Sequence, residues 1–293
     1  MKIASITHCS ALKAIPSQIA PNGMSGGQAS IASDWLSKVE KVRPEVPAAN
    51  LYTGRGYKTL LSRIGNVGGL YVVSAGLGLI PSDRAVPGYD LTIAVGYETS
   101  LDAICDDKPD LPDWWRSVCT TRYSEPSITA ISQRSDYLLV SLTANYLKMV
   151  REDLQKAACP VVLFTAESNS LRDLGKQIIR APYTSAFDGP NGPDRGTKSD
   201  FAQRTHADFL QRLSKGVTLE DAMSSVAEDM RAWAPQKKLN NQKFGDAEII
   251  RLIKKHRADF TAIGTMHRFF RHELNVACEQ KRFTKLVRQV SES

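Results

Sequence analysis

The sequence predicts an α/β fold, a three-layer, mostly parallel sheet, followed by a basic, all-helical C-terminal module. Three observations lead there. Short β-branched runs alternate with helix-spaced segments through the first 180 residues, the rhythm of βαβ units. After Arg180 the texture changes, and from Asp200 onward the periodicity is helical. The excess positive charge is confined to the end: residues 231–293 hold 14 Lys+Arg against 6 Asp+Glu, whereas residues 1–230 hold 24 against 25. The predicted divisions are an α/β domain at 1–182, a polar linker at 183–199 and a helical module at 200–293.

Lys2–Thr7 reads as a buried first strand ending at His8-Cys9-Ser10. A glycine loop, Gly23–Gly27, precedes a helix over Gln28–Val42, where Ile31, Trp35, Leu36 and Val39 share one face. Gly54–Ile64 is a second helix, and Leu70–Ser74 an apolar strand followed by the turn Ala75–Gly78. Asp136–Leu142 is a strand leading into a helix over Ala144–Gln155; Pro160–Thr165 is a strand with a helix over Ser170–Ile179 behind it. Tyr183–Ser199 is dense in Gly, Pro, Asp and Asn, the composition of a boundary loop. Helices follow at Phe201–Leu213 and Thr218–Trp233, the second opened by a Thr N-cap beside Glu220 and Asp221. Asp246–Lys255, Ala262–Phe270 and Glu273–Val290 complete the helical set.

At 293 residues, 42% hydrophobic and 24% charged, the chain is long enough for a sizeable core without staples. The apolar runs fall short of the roughly 20 residues of a membrane span. The start lacks the apolar length of a signal peptide. Five scattered cysteines with no CxxC pair argue against a disulfide framework or a zinc site, so a reducing cytoplasm is expected. Neither metal nor cofactor is called for, and membrane, secreted and disordered classes are set aside.

In parallel α/β sheets ligands bind beyond the carboxyl ends of the strands, and here those ends are polar or glycine-rich. The first strand is followed by Cys9, Ser10 and Lys13; the strand Leu70–Ser74 by Ser74, Ala75 and Gly78, then Asp83, Tyr89 and Asp90. The later strands lead to Thr143 and Asn145, and to Glu167, Ser168 and Asn169. Each has a structural alternative: Asp83 after Pro81 suits a turn, Asn169 suits an N-cap, and the glycines suit a close crossing. Cys9 suits a small buried hydrophobe, and Trp114-Trp115 a hydrophobic anchor. In the basic end, Lys254, Lys255, Arg257, Arg268, Arg271, Lys281 and Arg282 are candidates for phosphate contact. Phe260, Phe269, Phe270 and Phe283, interleaved with them, would either pack a core or reach bases.

Four blocks, in order, carry a resemblance: Cys9-x-x-x-Lys13, Leu51-Tyr52-Thr53-Gly54, Ser74-Ala75-x-x-Gly78-Leu79, and Pro87-Gly88-Tyr89-Asp90-Leu91-Thr92. Together they resemble a bacterial and phage family related to the YaaA proteins and to the uracil-DNA-glycosylase-like domains associated with deazaguanine transglycosylases. Within it the chain is similar to phage-defence DNA glycosylases that remove hypermodified bases. The blocks cover about residues 1–95 and leave the second half outside.

The resemblance implies a uracil-DNA-glycosylase-like fold and hydrolysis of the N-glycosidic bond of a modified base in double-stranded phage DNA. Glucosylated hydroxymethylcytosine is one such base. Such chemistry needs a carboxylate near a sugar that becomes oxocarbenium-like, hydrogen bonds to the departing base, and a pocket for a flipped nucleotide. Asp90 is the first choice for the carboxylate and Asp83 the second. Tyr89 would stack on the base and Asn169 and Asn145 would read its edge. Cys9, Ser10, Lys13, Thr53, Gly54, Ser74, Ala75 and Gly78 would line the substrate site. Two alternatives stay open, a base-exchanging transglycosylase and a non-enzymatic DNA-binding stress protein.

Overall fold

A computed structural model describes the chain except residues 1, 66–67, 167–173, 194–195, 236–240 and 292–293. It divides into two compact units, Met1–Pro235 and Gln236–Ser293. The first is built on a six-stranded sheet: β1 (Ile3–His8), β2 (Gly68–Ser74), β3 (Gly78–Pro81), β4 (Tyr137–Ser141), β5 (Val161–Phe164) and β6 (Ile178–Arg180). The spatial order is β3-β2-β1-β4-β5-β6. All neighbours are parallel except β2 and β3, which form an antiparallel edge. The chain runs outward from β1 through β2, returns to β1's other side at β4, and runs outward again. The strand order therefore reverses between β1 and β4, where a crevice opens at the carboxyl ends in such sheets.

The inner strands are apolar because both faces are covered: β5 is buried at all four positions and Leu138, Leu139 and Val140 of β4 are fully buried. Helix α1 (Gln28–Lys41) buries Ile31, Trp35 and Val39 at a four-residue spacing. Helix α2 (Arg55–Ile64) buries Tyr57 and Leu60. Helix α3 (Leu111–Val118) starts at an Asp110 N-cap whose side chain accepts from the Asp113 amide. Helix α4 (Phe201–Leu213) packs against α2, β4 and β5. Helix α5 (Leu219–Ala232) opens at the Thr218 N-cap expected from the sequence, and the Asp221 side chain reciprocates to make a capping box.

Several expectations are corrected. The helical region from 200 does not form one module: α4 and α5 belong to the first unit, so the division falls after Pro235 rather than at 183–199. The cause lies in α4 itself, buried at ten positions including Gln203, Arg204, Thr205 and His206. A polar sequence conceals that burial, because Gln203 and His206 pair with Thr7, Ser5 and Ser141 of the sheet, Arg204 with Asp188 and Asp200, and Thr205 with carbonyls of its own helix. The helix foreseen over Ala144–Gln155 breaks at Val150 into Ala144–Met149 and Arg151–Gln155. The end of the helix foreseen over Ser170–Ile179 is instead edge strand β6; its first residues lie outside the described residues.

The second unit holds α6 (Asp246–His256), α7 (Ile263–His272) and α8 (Gln280–Ser291). The helix expected from Glu273 begins only at Gln280, because Val276–Ala277 pairs in parallel with Gln242–Lys243. Its core contains Ile249, Ile253, Met266, Phe270, Val276, Phe283, Leu286 and Val287. Phe269 and Phe260 pack against that core, ring to ring at 5.1 Å. The interleaved aromatics thus pack the interior. No described helix is long and apolar enough to cross a membrane.

Candidate functional site

The four sequence blocks meet at the carboxyl ends of β1 and β2. Residues 10–14 lie along residues 51–54: the Ala14 amide donates to the Leu51 carbonyl (2.8 Å) and the Thr53 amide to the Leu12 carbonyl (3.0 Å). This sets Lys13 opposite Tyr52. Gly54 is required by that approach, since a Cβ there would lie 2.5 Å from Ser10 Oγ. Tyr89 pairs with Ile19, and the extended chain turns its ring inward and Asp90 outward. The Ser74 hydroxyl meets the Tyr89 hydroxyl at 2.7 Å, which meets that of Tyr52 at 3.2 Å. The Lys13 ammonium lies 4.4 Å from the centroid of the Tyr89 ring. Cys9 Sγ touches the Tyr146 hydroxyl at 3.0 Å, and His8 stacks on the Tyr146 ring. Burial first, and then the adjacent Cys9 thiol, push Tyr52, Tyr89 and Tyr146 well above the ordinary phenol range. All three keep their protons at neutral pH.

This convergence differs from a ligand cradle in one respect. The turn after Ser74 is fully buried and its polar groups are engaged internally. Ser74 Oγ accepts from the amides of Gly76 (3.2 Å) and Leu77 (3.0 Å). The carbonyls of Ala75, Gly76 and Leu77 accept from the Trp114 indole, the Trp35 indole and the Thr121 hydroxyl, each at 2.7 Å. Gly78 adopts φ +82°, and a Cβ there would sit 2.6 Å from the Val118 carbonyl. Ser74, Ala75 and Gly78 therefore organise the core beneath the site rather than present donors to a phosphate. Tyr89, likewise fully buried, offers no face for stacking. Trp114 and Trp115 are buried anchors.

The two carboxylates part company. Strand β3 runs antiparallel to β2, with Pro81 opposite Tyr71 and the Ser82 amide on the Leu70 carbonyl. That direction carries Asp83 to an exposed turn away from the carboxyl ends, which corrects its candidacy. Asp90 stays near them, exposed, accepting from Thr99 Oγ1 at 3.2 Å. Asn169 lies outside the described residues.

Two hollows share Asn145. One, of about 400 Å³, is lined by Ile93, Val95, Leu101, Asp102, Asp110 and Lys148 among others. The other, of about 260 Å³, lies beyond β4 and β5, against Thr143, Thr165, Ala166, Lys198, Ser199 and Ala202. Asp110 is engaged as the α3 cap, whereas Asp102 has no hydrogen-bond or ionic partner among the described residues.

Between β1 and β4 sits a polar layer that no sequence pattern announced. His206 of α4 bridges Ser141 Oγ (3.0 Å) and Ser5 Oγ (3.2 Å) and stacks on Phe164. Gln203 donates to Thr7 Oγ1 and the His8 carbonyl. Burial pushes His206 down to about 3, so it is neutral. His8 is lowered by burial too. Its Nδ1 lies 2.9 Å from the Cys9 carbonyl, which can only accept. That places the lone pair on Nε2, a buried atom without a hydrogen-bond partner among the described residues. Among those residues, no group of three or more His, Cys, Asp or Glu is placed to hold a metal ion.

In the second unit, Lys254, Lys255, Arg268, Arg271 and Lys281 are exposed. Arg257 donates to the Phe260 carbonyl. Arg282 holds Asp246 at 2.6 Å and the Phe244 carbonyl at 3.0 Å, tying α8 to the start of α6. Comparison of the chain with protein-family models, with curated proteins and with solved structures finds no match.

Proposed function

We propose that the chain is a cytoplasmic DNA glycosylase with a three-layer, uracil-DNA-glycosylase-like first unit, acting on a modified base of phage DNA and leaving an abasic site. The observation that carries the reading is the meeting of Cys9, Lys13, Tyr52, Ser74 and Tyr89, from four separated blocks, beside the carboxyl ends of β1 and β2. Those are the blocks on which the family resemblance rests. In the proposed reaction water adds to C1′ of the deoxyribose and the C1′–N bond breaks. The bonding pair leaves on the base, which gains a proton.

The buried tyrosine cluster acts as a rigid floor, and its inward pull on Tyr89 fixes Asp90 on the outer side of the same extended segment. Asp90 would face the sugar as positive charge develops there. The loop that follows Asp90 supplies Ile93, Val95 and Leu101 to the larger hollow, where Asn145 and Lys148 offer donors to a flipped base. Hollows of this size suit a nucleobase better than an extended polymer. Asp102, lining that hollow without a partner, is the competing carboxylate.

The test incubates the protein with plain and hypermodified phage DNA, then measures alkali-labile breaks and free base by mass spectrometry. Release from modified DNA is expected to fall at least about 10²-fold in Asp90→Asn, as loss of a group that stabilises transition-state charge does. Loss in Asp102→Asn with Asp90→Asn unaffected would move the role to the hollow. No base released from any modified DNA by folded protein would reject the reading.

A further inference from the structure

The net charge of the chain resides entirely in the second unit: residues 236–293 hold 13 Lys+Arg against 6 Asp+Glu, and residues 1–235 hold 25 against 25. The structure distributes those cations unequally. Arg282 is fixed by Asp246, Arg257 by the Phe260 carbonyl, and Arg251 approaches Glu248 at 3.9 Å. Lys254, Lys255, Arg268 and Arg271 are exposed on other helices, and the outer face of α8 gathers three more on one arc. At about 100° per residue, Lys281, Lys285 and Arg288 fall within about 60° of arc, opposite the buried Phe283, Leu286 and Val287. All three are exposed, and none has an ionic partner among the described residues. Gln280, Thr284 and Gln289 flank them on the same helix. Among the described residues this face contains cations, amides and a hydroxyl, and no carboxylate.

We infer that this face of α8 is a duplex-DNA backbone-tracking surface that grips phosphates without reading bases. The inference rests on the proposal that DNA is the substrate, and it assigns the grip to Lys281, Lys285 and Arg288. Two of these, Lys285 and Arg288, were not among the residues singled out from the sequence. From Lys281 to Arg288 the helix rises about 10 Å, the axial length of about three phosphates on one strand at 3.4 Å each. An anionic lipid surface is a poorer match, since membrane-bound helices bury an apolar face in the bilayer. The apolar face of α8 is already buried in the unit's own core, and no large hydrophobic of this unit is exposed among the described residues.

The test measures anisotropy of two fluorescein-labelled 20-bp duplexes of unrelated sequence, from 50 to 200 mM salt, with the full chain. Removing three phosphate contacts in K281A/K285A/R288A should flatten the slope of log affinity against log salt by about 2.7. That makes the wild type lose about 40-fold more affinity than the variant across this range. The change should be equal on both duplexes. A control, K58A/R63A/K215A, removes three exposed cations from the first unit and should leave the slope unchanged; thermal melts establish that both variants are folded.

An unchanged slope in the α8 variant overturns the inference even if base release persists, in which case the glycosylase reading stands. An equal loss in the control overturns it too, because the effect would then follow net charge. So does a loss confined to one duplex, or lost binding to phosphatidylserine vesicles with DNA affinity intact. Loss of base release in Asp90→Asn with the α8 effect as expected separates chemistry from grip.

Discussion

Replacing Ser74 with alanine removes the acceptor shared by two buried amides, Gly76 at 3.2 Å and Leu77 at 3.0 Å, and the closer partner of the Tyr89 hydroxyl. The Tyr89 hydroxyl retains Tyr52 at 3.2 Å, so the main loss is the two stranded amides. A buried donor left unpaired costs about 1–3 kcal/mol, which gives roughly 4 kcal/mol for the pair. Against a total stability of about 5–15 kcal/mol, that is a large fraction. For a unit of this size it corresponds to a melting temperature lower by roughly 8–15 °C. All four tryptophans, Trp35, Trp114, Trp115 and Trp233, lie in the first unit. Urea unfolding followed by tryptophan fluorescence therefore reports this unit alone. A lower midpoint with an unchanged slope is expected. A loss below about 1 kcal/mol would refute the assignment of Ser74 as the organiser of the turn.

Other expectations follow from the same geometry. His206 is neutral when folded, with its pKa at about 3, against about 6.5 in the unfolded chain. Between these values the unfolded state holds the extra proton. The stability it contributes is thus full above pH 6.5 and declines as pH falls, by up to about 1.4 kcal/mol per pH unit. The urea midpoint of the wild type should fall more steeply from pH 7 to pH 4 than that of His206→Gln; parallel profiles would contradict the account. Burial pushes the Cys119 thiol up to about 12, so at pH 8 it should react with a thiol-specific maleimide only on unfolding, which mass spectrometry of peptides can follow. Gly78→Ala places a Cβ against the Val118 carbonyl at positive φ and should destabilise the first unit by at least about 1–2 kcal/mol, the backbone penalty alone, in the same fluorescence assay.

The strands β1, β2, β4 and β5 were legible because each is a short run rich in apolar residues and mostly buried. Helices α1, α2, α4 and α5 were legible from spacing and, for α5, from its Thr218 cap. Strand β3 was not: Ala75–Gly78 reads as a turn and Leu79–Pro81 as no element, and only pairing with β2 makes Gly78–Pro81 a strand. That one missed strand also misplaced Asp83, because its direction decides at which end the carboxylate emerges. The unit boundary was misread because α4 buries polar side chains, and composition shows only that they are polar. Within the site, Cys9, Lys13, Ser74 and Tyr89 were picked from the sequence and do converge. Tyr146, Gln203 and His206 join them across more than 50 residues of chain, and no local pattern encodes such partners. Several chosen residues hold the fold together instead: Ser74, Ala75 and Gly78 tie the turn after β2, Tyr89 faces inward, and Arg282 has a carboxylate neighbour 36 positions away.

The three successive carbonyls of Ala75, Gly76 and Leu77 are each held by a side chain from a distant stretch, two of them indoles. Opening that turn means swinging Trp35 and Trp114 out of a packed interior together. Amide protons of Gly76 and Leu77 should consequently exchange with deuterium only when the whole first unit opens, on the slowest timescale the unit shows. A molecule bound there, as proposed, would meet a floor tied from three sides, and any adjustment to its shape would fall to the exposed residues Val95–Glu98.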